Sequence, residues 1–307
     1  MKVLIVCSGN SGSISPFIKD QAESIVKENI NVEYFLIRGR GPWGYFKNLK
    51  SLKEKIKYYK PDIIHAHYGL SGLLAGLQRK VPIVLTLHGS DVNIPYLRLF
   101  SLFASLLAKE TIIVSNNLAS KLYFIKAHII PCGVDFSIFR PMDRSTFRRK
   151  FNFKENHFYV LFSSRFDNRV KNFALSKKAI SFTNNSNIEL VELKGYSRQE
   201  VAELMNAVDL CLLTSFSEGS PQFTKEAIAC GCPVVSVDVG DVKEQILNID
   251  NCHVVPAEPS LIAEKINNIV QNSLRLKITK DFERYDNKII AKRIIDLYKS
   301  VSKRNFL

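Results

Sequence analysis

Two glutamates eight residues apart are the strongest chemical signal in this sequence. A Gly-Ser-Pro turn follows Glu218, and a mostly apolar run containing Glu226 continues to Gly231. Ser220 is a favoured N-cap residue, Pro221 suits the first helical position, and a glycine often ends a helix. The sequence therefore predicts Glu218 in the loop before a short helix and Glu226 in its second turn. Because a helix start binds anions and carboxylates bind hydroxyl groups, this segment predicts a site for a sugar nucleotide.

The same segment resembles the E-x7-E signature of the retaining glycosyltransferases of family 4 (GT4), which have the GT-B fold of two Rossmann-like domains. The resemblance includes the residues around the two glutamates, Ser-Glu-Gly-Ser-Pro over 217–221 and Glu-Ala-Ile-Ala-Cys-Gly-Cys-Pro-Val-Val over 226–235. A pair of glutamates alone would equally fit a solvated helix face. The family implies transfer of a sugar from a UDP- or GDP-sugar to a hydroxyl of a glycan or lipid-linked acceptor, in surface polysaccharide biosynthesis.

Basic residues follow a predicted strand at 159–163. Arg165 and Lys171 lie in the run Ser-Arg-Phe-Asp-Asn-Arg-Val-Lys, which ends at Lys171. A departing diphosphate gains negative charge, and cations aimed at it stabilise the transition state. The spacing is similar to that of the Arg and Lys with which the family grips the diphosphate, although exposed loop residues would also fit and Arg169 is an alternative. No Asp-x-Asp motif occurs, so we expect these cations to replace a metal and expect no cofactor.

The resemblance also assigns the other donor contacts. Glu226 would bind the ribose hydroxyls and Glu218 the transferred sugar. The backbone N–H groups of Gly219 and Ser220 would meet the phosphates beside Pro221. The base would be seated by three consecutive residues: Lys194, Gly195 and Tyr196.

A Thr-Leu-His-Gly-Ser-Asp segment in the first half of the chain resembles the family's His-Gly loop. By this resemblance His88 would touch the donor sugar from across the cleft between the domains, and Asp91 is a candidate acceptor contact. A capped strand end would also explain the His-Gly pair. Gly12, in the glycine-rich loop after the first strand, is assigned to the donor site. The histidines His65 and His67 are interpreted as structural.

Short apolar strands alternate with amphipathic helices along the whole chain, which predicts two doubly wound α/β domains with parallel sheets. We expect residues 1–140, with a crossing helix at 287–303, to form the acceptor-side domain and residues 141–286 the nucleotide-sugar domain. Ligands of such sheets bind beyond the carboxyl ends of the strands, where the loops 8–13, 65–69 and 88–93 fall. None of these three loops matches GxGxxG, so no nicotinamide cofactor is predicted.

Composition and net charge restrict the classes of partner that the protein is expected to bind. The sequence of 307 residues is 46% hydrophobic and 23% charged, with a formal net charge of +14. Between residues 38 and 60 there are eight basic residues and one acid, Glu54, and such a patch attracts polyanions. No nucleic-acid motif accompanies it, so nucleic acid is not expected. The apolar run 96–107 fits either contact with an anionic membrane or, the interpretation we favour, a buried helix.

The six cysteines lack metal-binding spacing, and neither a signal peptide nor a membrane-spanning segment is predicted. We expect a cytoplasmic enzyme, with the inner face of the cell membrane as an open alternative to a location away from it. The alternatives are an epimerase of the same architecture, which would release no free nucleotide, and a non-catalytic subunit that binds a sugar nucleotide. Retention of configuration is implied by the family, and we expect front-face displacement because no residue is placed as a covalent nucleophile.

Overall fold

The computed structural model describes residues 1–272 and 274–303, with the backbone alone for residue 303. Two compact units divide the chain: the first contains Met1–Gly133 and the C-terminal segment beginning at Asn287, and the second contains Val134–Asp286. Each has one parallel sheet covered by helices, which confirms the predicted class of two Rossmann-like α/β domains.

The first unit contains six parallel strands in the order β2-β1-β3-β4-β5-β6. The strands are β1 (Lys2–Ser8), β2 (Asn31–Ile37), β3 (Ile63–His67), β4 (Ile83–Leu87), β5 (Glu110–Ile113) and β6 (His128–Ile129). The helices are α1 (Pro16–Lys27), α2 (Gly41–Phe46), α3 (Leu49–Tyr59), α4 (Gly69–Gly76), α5 (Ser90–Asn93), α6 (Pro95–Leu107), α7 (Asn116–Ala119) and the C-terminal α14 (Asn287–Lys303).

Helices cover both faces of this sheet. One face packs against α3, α4 and α6 through side chains such as Leu52, Leu74 and Ala104. The other face packs against α1 and α14, which contribute Ile18 and Tyr298. The buried strands are almost entirely apolar, as expected of a parallel sheet covered on both faces.

The second unit has five parallel strands in the order β11-β10-β9-β7-β8. The strands are β7 (Phe158–Phe162), β8 (Ile188–Glu192), β9 (Leu210–Leu213), β10 (Val234–Val237) and β11 (Cys252–Val255). The helices are α8 (Arg144–Lys150), α9 (Phe173–Ser181), α10 (Arg198–Ala207), α11 (Gln222–Ala229), α12 (Val242–Gln245) and α13 (Pro259–Asn272).

The strand order reverses once in each sheet. After β2 the chain returns to the other side of β1 to form β3, and after β8 it returns to the other side of β7 to form β9. At such a switch point the two loops that leave the carboxyl ends of neighbouring strands diverge, which opens a crevice for ligands. The loops after β1 and β3, and those after β7 and β9, therefore define where a site can form in each unit.

The structure differs from the sequence analysis at one domain boundary and in some secondary-structure elements. The second unit begins at Val134, before the predicted residue 141, because Val134 and Phe139 are fully buried in its core. The structure also contains β11 and several short helices, among them α8, that the sequence analysis did not predict.

Candidate functional site

The switch point of the second unit brings two distant loops together. The loop after β7 carries Arg165 and Lys171, and the loop after β9 carries Glu218. Hydrogen bonds fasten one loop to the other: the N–H of Phe216 donates to the carbonyl oxygen of Val170 (2.9 Å), and the Thr214 hydroxyl donates to that of Lys171 (3.1 Å). The positions of the side chains at this edge therefore depend on the pairing of β7 with β9.

An ion pair joins Lys171 to Glu218. Nζ of Lys171 donates to Oε1 of Glu218 at 2.6 Å, and the hydroxyl of Ser215 donates to the same oxygen at 2.6 Å. The two charged side chains are 21% and 14% exposed, so both are largely withdrawn from water. This pair places one predicted cation and one predicted carboxylate in direct contact.

Arg165 is placed differently from Lys171. Its guanidinium is 58% exposed, and Nε lies 3.2 Å from Oδ1 of Asp167 in the same loop. An exposed arginine keeps the freedom of its long side chain, so it can be recruited by an anion at little cost in broken contacts. The two predicted cations therefore differ in how firmly the protein holds them.

The helix after Glu218 begins later than predicted. Helix α11 starts at Gln222, Pro221 occupies the N-cap, and no side chain caps the helix start. The predicted capping role of Ser220 is wrong because its hydroxyl instead donates to Oδ2 of Asp241 at 2.9 Å. Ser220 is thus held by the loop after β10.

The same loop packs closely on the turn before α11. Gly240 has a φ of +57°, and a Cβ at that position would lie 2.9 Å from the carbonyl oxygen of Gly219. Only glycine tolerates both this backbone conformation and this approach. Gly240 therefore allows the turn at 219–221 to rest directly on its neighbour.

A buried lysine that the sequence analysis missed lies beneath this turn. Lys225 is fully buried in α11, and its Nζ donates to the Ser220 hydroxyl at 3.1 Å. Burial raises the pKa of Asp241, and the nearby positive charge of Lys225 opposes that rise. No distinct signal in the sequence marked this burial, because α11 also contains Gln222, Thr224 and Glu226. Its charge lies close to the turn proposed to meet phosphate.

Glu226 also has a partner that the sequence did not reveal. Nη1 of Arg198 donates to Oε1 of Glu226 at 2.8 Å, and the guanidinium lies over the ring of Phe139 at 4.5 Å from its centroid. The Glu226 side chain is 6% exposed. Arg198 therefore orients Glu226 and gives it an ionic partner at a buried position, where an isolated carboxylate would be costly.

The three residues assigned to the base lie at the surface between β8 and α10. Lys194 and Gly195 are exposed, and Gly195 has a φ of +80° with open space where a side chain would be. The Tyr196 ring stands edge-on to that of Phe151 at 6.0 Å. Arg198 lies two residues after Tyr196, which connects this loop with Glu226.

In the first unit, Asp91 holds the backbone of the His-Gly loop. Its Oδ1 accepts the N–H groups of Gly89 at 2.7 Å and of His88 at 3.1 Å. Burial raises the pKa of Asp91 to about 6, although these backbone hydrogen bonds favour the charged form. The observed role of Asp91 is to fix the loop that carries His88, and its contact with an acceptor stays a prediction.

The imidazole of His88 is oriented through both of its nitrogens. Nε2 lies 3.0 Å from Nδ1 of His67, and Nδ1 lies 3.6 Å from Sγ of Cys132. Nε2 of His67 is buried and makes no hydrogen bond within the described part of the chain. A proton on Nδ1 of His67 avoids burying an unpaired N–H group, so His67 donates and His88 accepts.

A second layer supports His67. The ring of His65 stacks on it at 4.4 Å and is bonded to the Tyr298 hydroxyl of α14 (2.6 Å) and to that of Thr86 (2.7 Å). Burial lowers the pKa of His65 to about 3 and that of His67 well below its ordinary value, so both are neutral at pH 7. Both histidines are therefore buried and bonded, as their structural interpretation implies.

Gly12 lies in the loop after β1, at the switch point of the first unit. Its φ is +84°, and no atom lies within 4 Å of the position where a Cβ would stand. This loop therefore offers an open backbone surface, and the assignment of Gly12 to the donor site stays a prediction.

Two family models match this chain. The model described as Glycosyltransferase Family 4 matches residues 2–138, and the model described as Glycosyl transferases group 1 matches residues 175–272. The first match covers nearly all of the predicted first domain, and the second covers the part of the predicted second domain that contains the two glutamates.

A protein of similar sequence is also named as a glycosyltransferase. The chain is 28% identical over 247 residues to TuaC of Bacillus subtilis (strain 168), a protein assigned as a teichuronic acid biosynthesis glycosyltransferase. The match covers 71% of this chain and 63% of TuaC, so this chain spans less than two thirds of that relative.

Solved structures share the fold over nearly the whole chain. Sucrose-phosphate synthase from Thermosynechococcus elongatus has a TM-score of 0.80 at 17% identity, covering 97% of this chain and 98% of the other. HepE of Anabaena in complex with UDP has a TM-score of 0.77 at 16% identity, covering 98% and 100%. At these identities the similarity establishes the two-domain fold.

Proposed function

Because this chain belongs to glycosyltransferase family 4, we propose that it transfers a sugar from a nucleotide-diphosphate sugar to a hydroxyl of an acceptor. The observation that supports this most directly is the contact between Lys171 and Glu218 at the switch point of the second unit. It combines a cation suited to a diphosphate with a carboxylate suited to sugar hydroxyls, at the edge where such sheets bind ligands.

The diphosphate would be met by Lys171 and by Arg165. Lys171 is held by Glu218, whereas the side chain of Arg165 is exposed and would turn towards a bound anion. Negative charge grows on the diphosphate oxygens as the bond to the sugar breaks, so cations placed beforehand lower the barrier. In this proposal the N–H groups of Gly219 and Ser220 add hydrogen bonds to the same group.

The ribose would be bound by Glu226. A carboxylate offers about four acceptor sites, and the bond from Arg198 occupies one of the oxygens of Glu226, which leaves acceptor capacity for hydroxyl groups. Arg198 follows the loop at 194–196, which would seat the base. The ion pair between Arg198 and Glu226 would therefore fix the position of the ribose contact relative to that of the base.

We propose that transfer retains configuration by front-face displacement. The acceptor oxygen forms its bond to the anomeric carbon on the face from which the diphosphate departs. A phosphate oxygen of the leaving group takes the acceptor's proton, so no enzyme nucleophile is needed.

The proposed donor and acceptor are based on the names of two similar proteins, HepE and TuaC. HepE is named as a complex with UDP, which favours UDP-sugars as the first donors to test, with GDP-sugars second. TuaC is assigned to biosynthesis of a polysaccharide, which favours a glycan or lipid-linked acceptor in surface polysaccharide synthesis. Such an acceptor would place the enzyme at the inner face of the cell membrane.

The test is a panel of UDP-, GDP- and ADP-sugars scored for binding and for nucleotide release, with and without excess chelator. We expect one donor class to bind and release its nucleotide, with equal rates in chelator. Isomerisation of the sugar while it stays on the nucleotide would indicate an epimerase instead. Binding without release, under any acceptor mixture, would indicate a binding subunit, and no binding at all would contradict the proposed site.

A further inference from the structure

Helix α6 buries small residues and exposes its large apolar side chains, which is the reverse of the usual arrangement in a helix that packs on a sheet. The buried positions are occupied by the small residues Ser101, Ala104 and Ser105. Large apolar side chains point outward: Tyr96 is 65% exposed, Leu99 52%, Phe103 52% and Leu106 78%. We call these four residues the α6 stripe. The favoured interpretation of this run as a buried helix is therefore wrong for its large side chains.

The glycines of α4 explain the inversion. A Cβ at Gly69 would lie 2.1 Å from the Ser101 hydroxyl, and one at Gly72 would lie 3.2 Å from Cβ of Ala104. The two helices are in such close contact that only small residues fit between them. The large residues of α6 are thus left in contact with solvent, and contiguous exposed apolar surface of this kind is typical of an interaction site.

A basic groove lies on the same face of the sheet. Helices α2 and α3 and the loop after α4 enclose a cavity of about 810 Å³. Five lysines line this groove: Lys47, Lys50, Lys53, Lys57 and Lys80. Its floor includes the apolar side chains of Phe46 and Leu49, and Glu54 is its one acidic lining residue. Helix α4 contacts α2, α3 and α6, so one helix separates the groove from the stripe.

Aromatic residues extend this surface. Trp43 of α2 is 81% exposed and Tyr58 of α3 is 84% exposed. Tryptophan and tyrosine beside lysines and an apolar stripe are the combination that lies in a lipid interface, with apolar side chains among the acyl chains and lysines at the phosphates. No helix among the described residues has the length and apolar character needed to span a bilayer, so the contact would be with its surface.

We propose that the α6 stripe and the lysine groove together dock the first unit onto an anionic lipid bilayer. The charge favours this partner over a second copy of the chain, because a two-fold contact through this face would bring two groups of five lysines together. A soluble polyanion is disfavoured as the partner, because binding it would leave the apolar side chains of the α6 stripe in water. This inference rests on the proposed function for its lipid-linked acceptor. It deepens that function by naming the surface that would bring the enzyme to the acceptor.

The experiment is flotation of the full chain with vesicles of phosphatidylglycerol or of phosphatidylcholine alone, at low and at physiological salt. We expect flotation with the anionic vesicles, weakening as salt rises, and little with the zwitterionic ones. The double variant Phe103→Ser/Leu106→Ser should bind at least about tenfold more weakly, since it removes two inserted side chains. Lys50→Glu should weaken binding by about fivefold or more.

Phe182→Ser is the matched control, because Phe182 is 53% exposed and lies in the second unit. It should float like the unchanged protein. Equal flotation of the double variant and the unchanged protein would overturn the proposal. So would absence of binding to anionic vesicles, or a concentration-dependent dimer that the double variant abolishes. Donor binding measured in solution distinguishes failure of this proposal from failure of the proposed function. A variant that no longer binds vesicles should still bind the donor, and a variant with an inactive donor site should still float with the vesicles.

Discussion

The Nζ atom of Lys171 lies 2.6 Å from Oε1 of Glu218, although the two residues are 47 positions apart in the chain. They meet because β7 and β9 are neighbours, so the loops that leave these strands share one edge of the sheet. Ser215 donates to the same carboxylate oxygen, so Glu218 is held from two directions. This arrangement leads directly to two predictions about the proposed donor site.

Glu218→Gln should reduce turnover by roughly a hundredfold while nucleotide binding is retained. Glutamine keeps the size of the side chain and can accept the Ser215 hydrogen bond, but it removes the charge beside the transferred sugar. Binding should not weaken, because Lys171 no longer has an anionic partner that competes with the diphosphate. Calorimetric titration with the nucleotide and a nucleotide-release assay check both parts. Glu258→Gln, at an exposed position, is the control, and unchanged turnover in Glu218→Gln would show that the site is misassigned.

Lys171→Ala should weaken diphosphate affinity by about tenfold to a hundredfold, the range for a hydrogen bond to a charged group. Arg169→Ala is the matched control, because Arg169 is an exposed cation two residues away whose loss should change affinity less than threefold. Titration with the nucleoside diphosphate measures both. If the two variants weaken binding equally, only the general positive charge of the loop matters, and the specific role of Lys171 is excluded.

Arg198→Ala should lower the free energy of unfolding by about 2–3 kcal/mol, because it leaves the buried Glu226 carboxylate without its partner. The value is below that of a fully buried pair because Arg198 is 27% exposed. Urea unfolding measures it, with the exposed Arg149→Ala as control. Adding Glu226→Gln to Arg198→Ala should restore part of the loss, and no restoration would contradict the assigned cause.

Asp91 predicts a pH dependence of stability. Burial raises its pKa to about 6 from an ordinary 3.8, so the folded protein binds this proton more tightly than the unfolded chain. The resulting contribution of about 3 kcal/mol is complete below about pH 4 and is lost as pH rises through about 6. The stability of the unchanged protein relative to Asp91→Asn should therefore fall between pH 4 and pH 7. Urea unfolding across that range tests this, and a constant difference would show that Asp91 does not titrate as inferred.

Much of the fold could be predicted because its signals are local. The strands are short apolar runs, the helices have an amphipathic period, and the loops after the strands carry the polar residues. These patterns predicted the class of fold and the placement of Glu218 and Lys171 in loops after strands. They did not show that β7 and β9 would be neighbours, since strand order depends on contacts between residues far apart in the chain.

The partners of the site residues were not predictable for the same reason. Arg198 reaches Glu226 across 28 positions, and Asp241 draws the Ser220 hydroxyl away from the helix start that local preference assigned to it. Neither the burial of Lys225 nor its partners could be predicted, because α11 also contains other polar residues. Such polar contacts are decided by which charges the packing buries together.

The sequence by itself determined where strands and helices form and which loops carry charge, because these depend on near neighbours and on hydrophobic period. Only the tertiary structure decided which side of α6 faces water. Its apolar residues would suit a buried helix equally well, but the close contact of Gly69 and Gly72 with α6 leaves room only for small side chains. The space between two packed backbones, which no local pattern encodes, turned Phe103 and Leu106 outward.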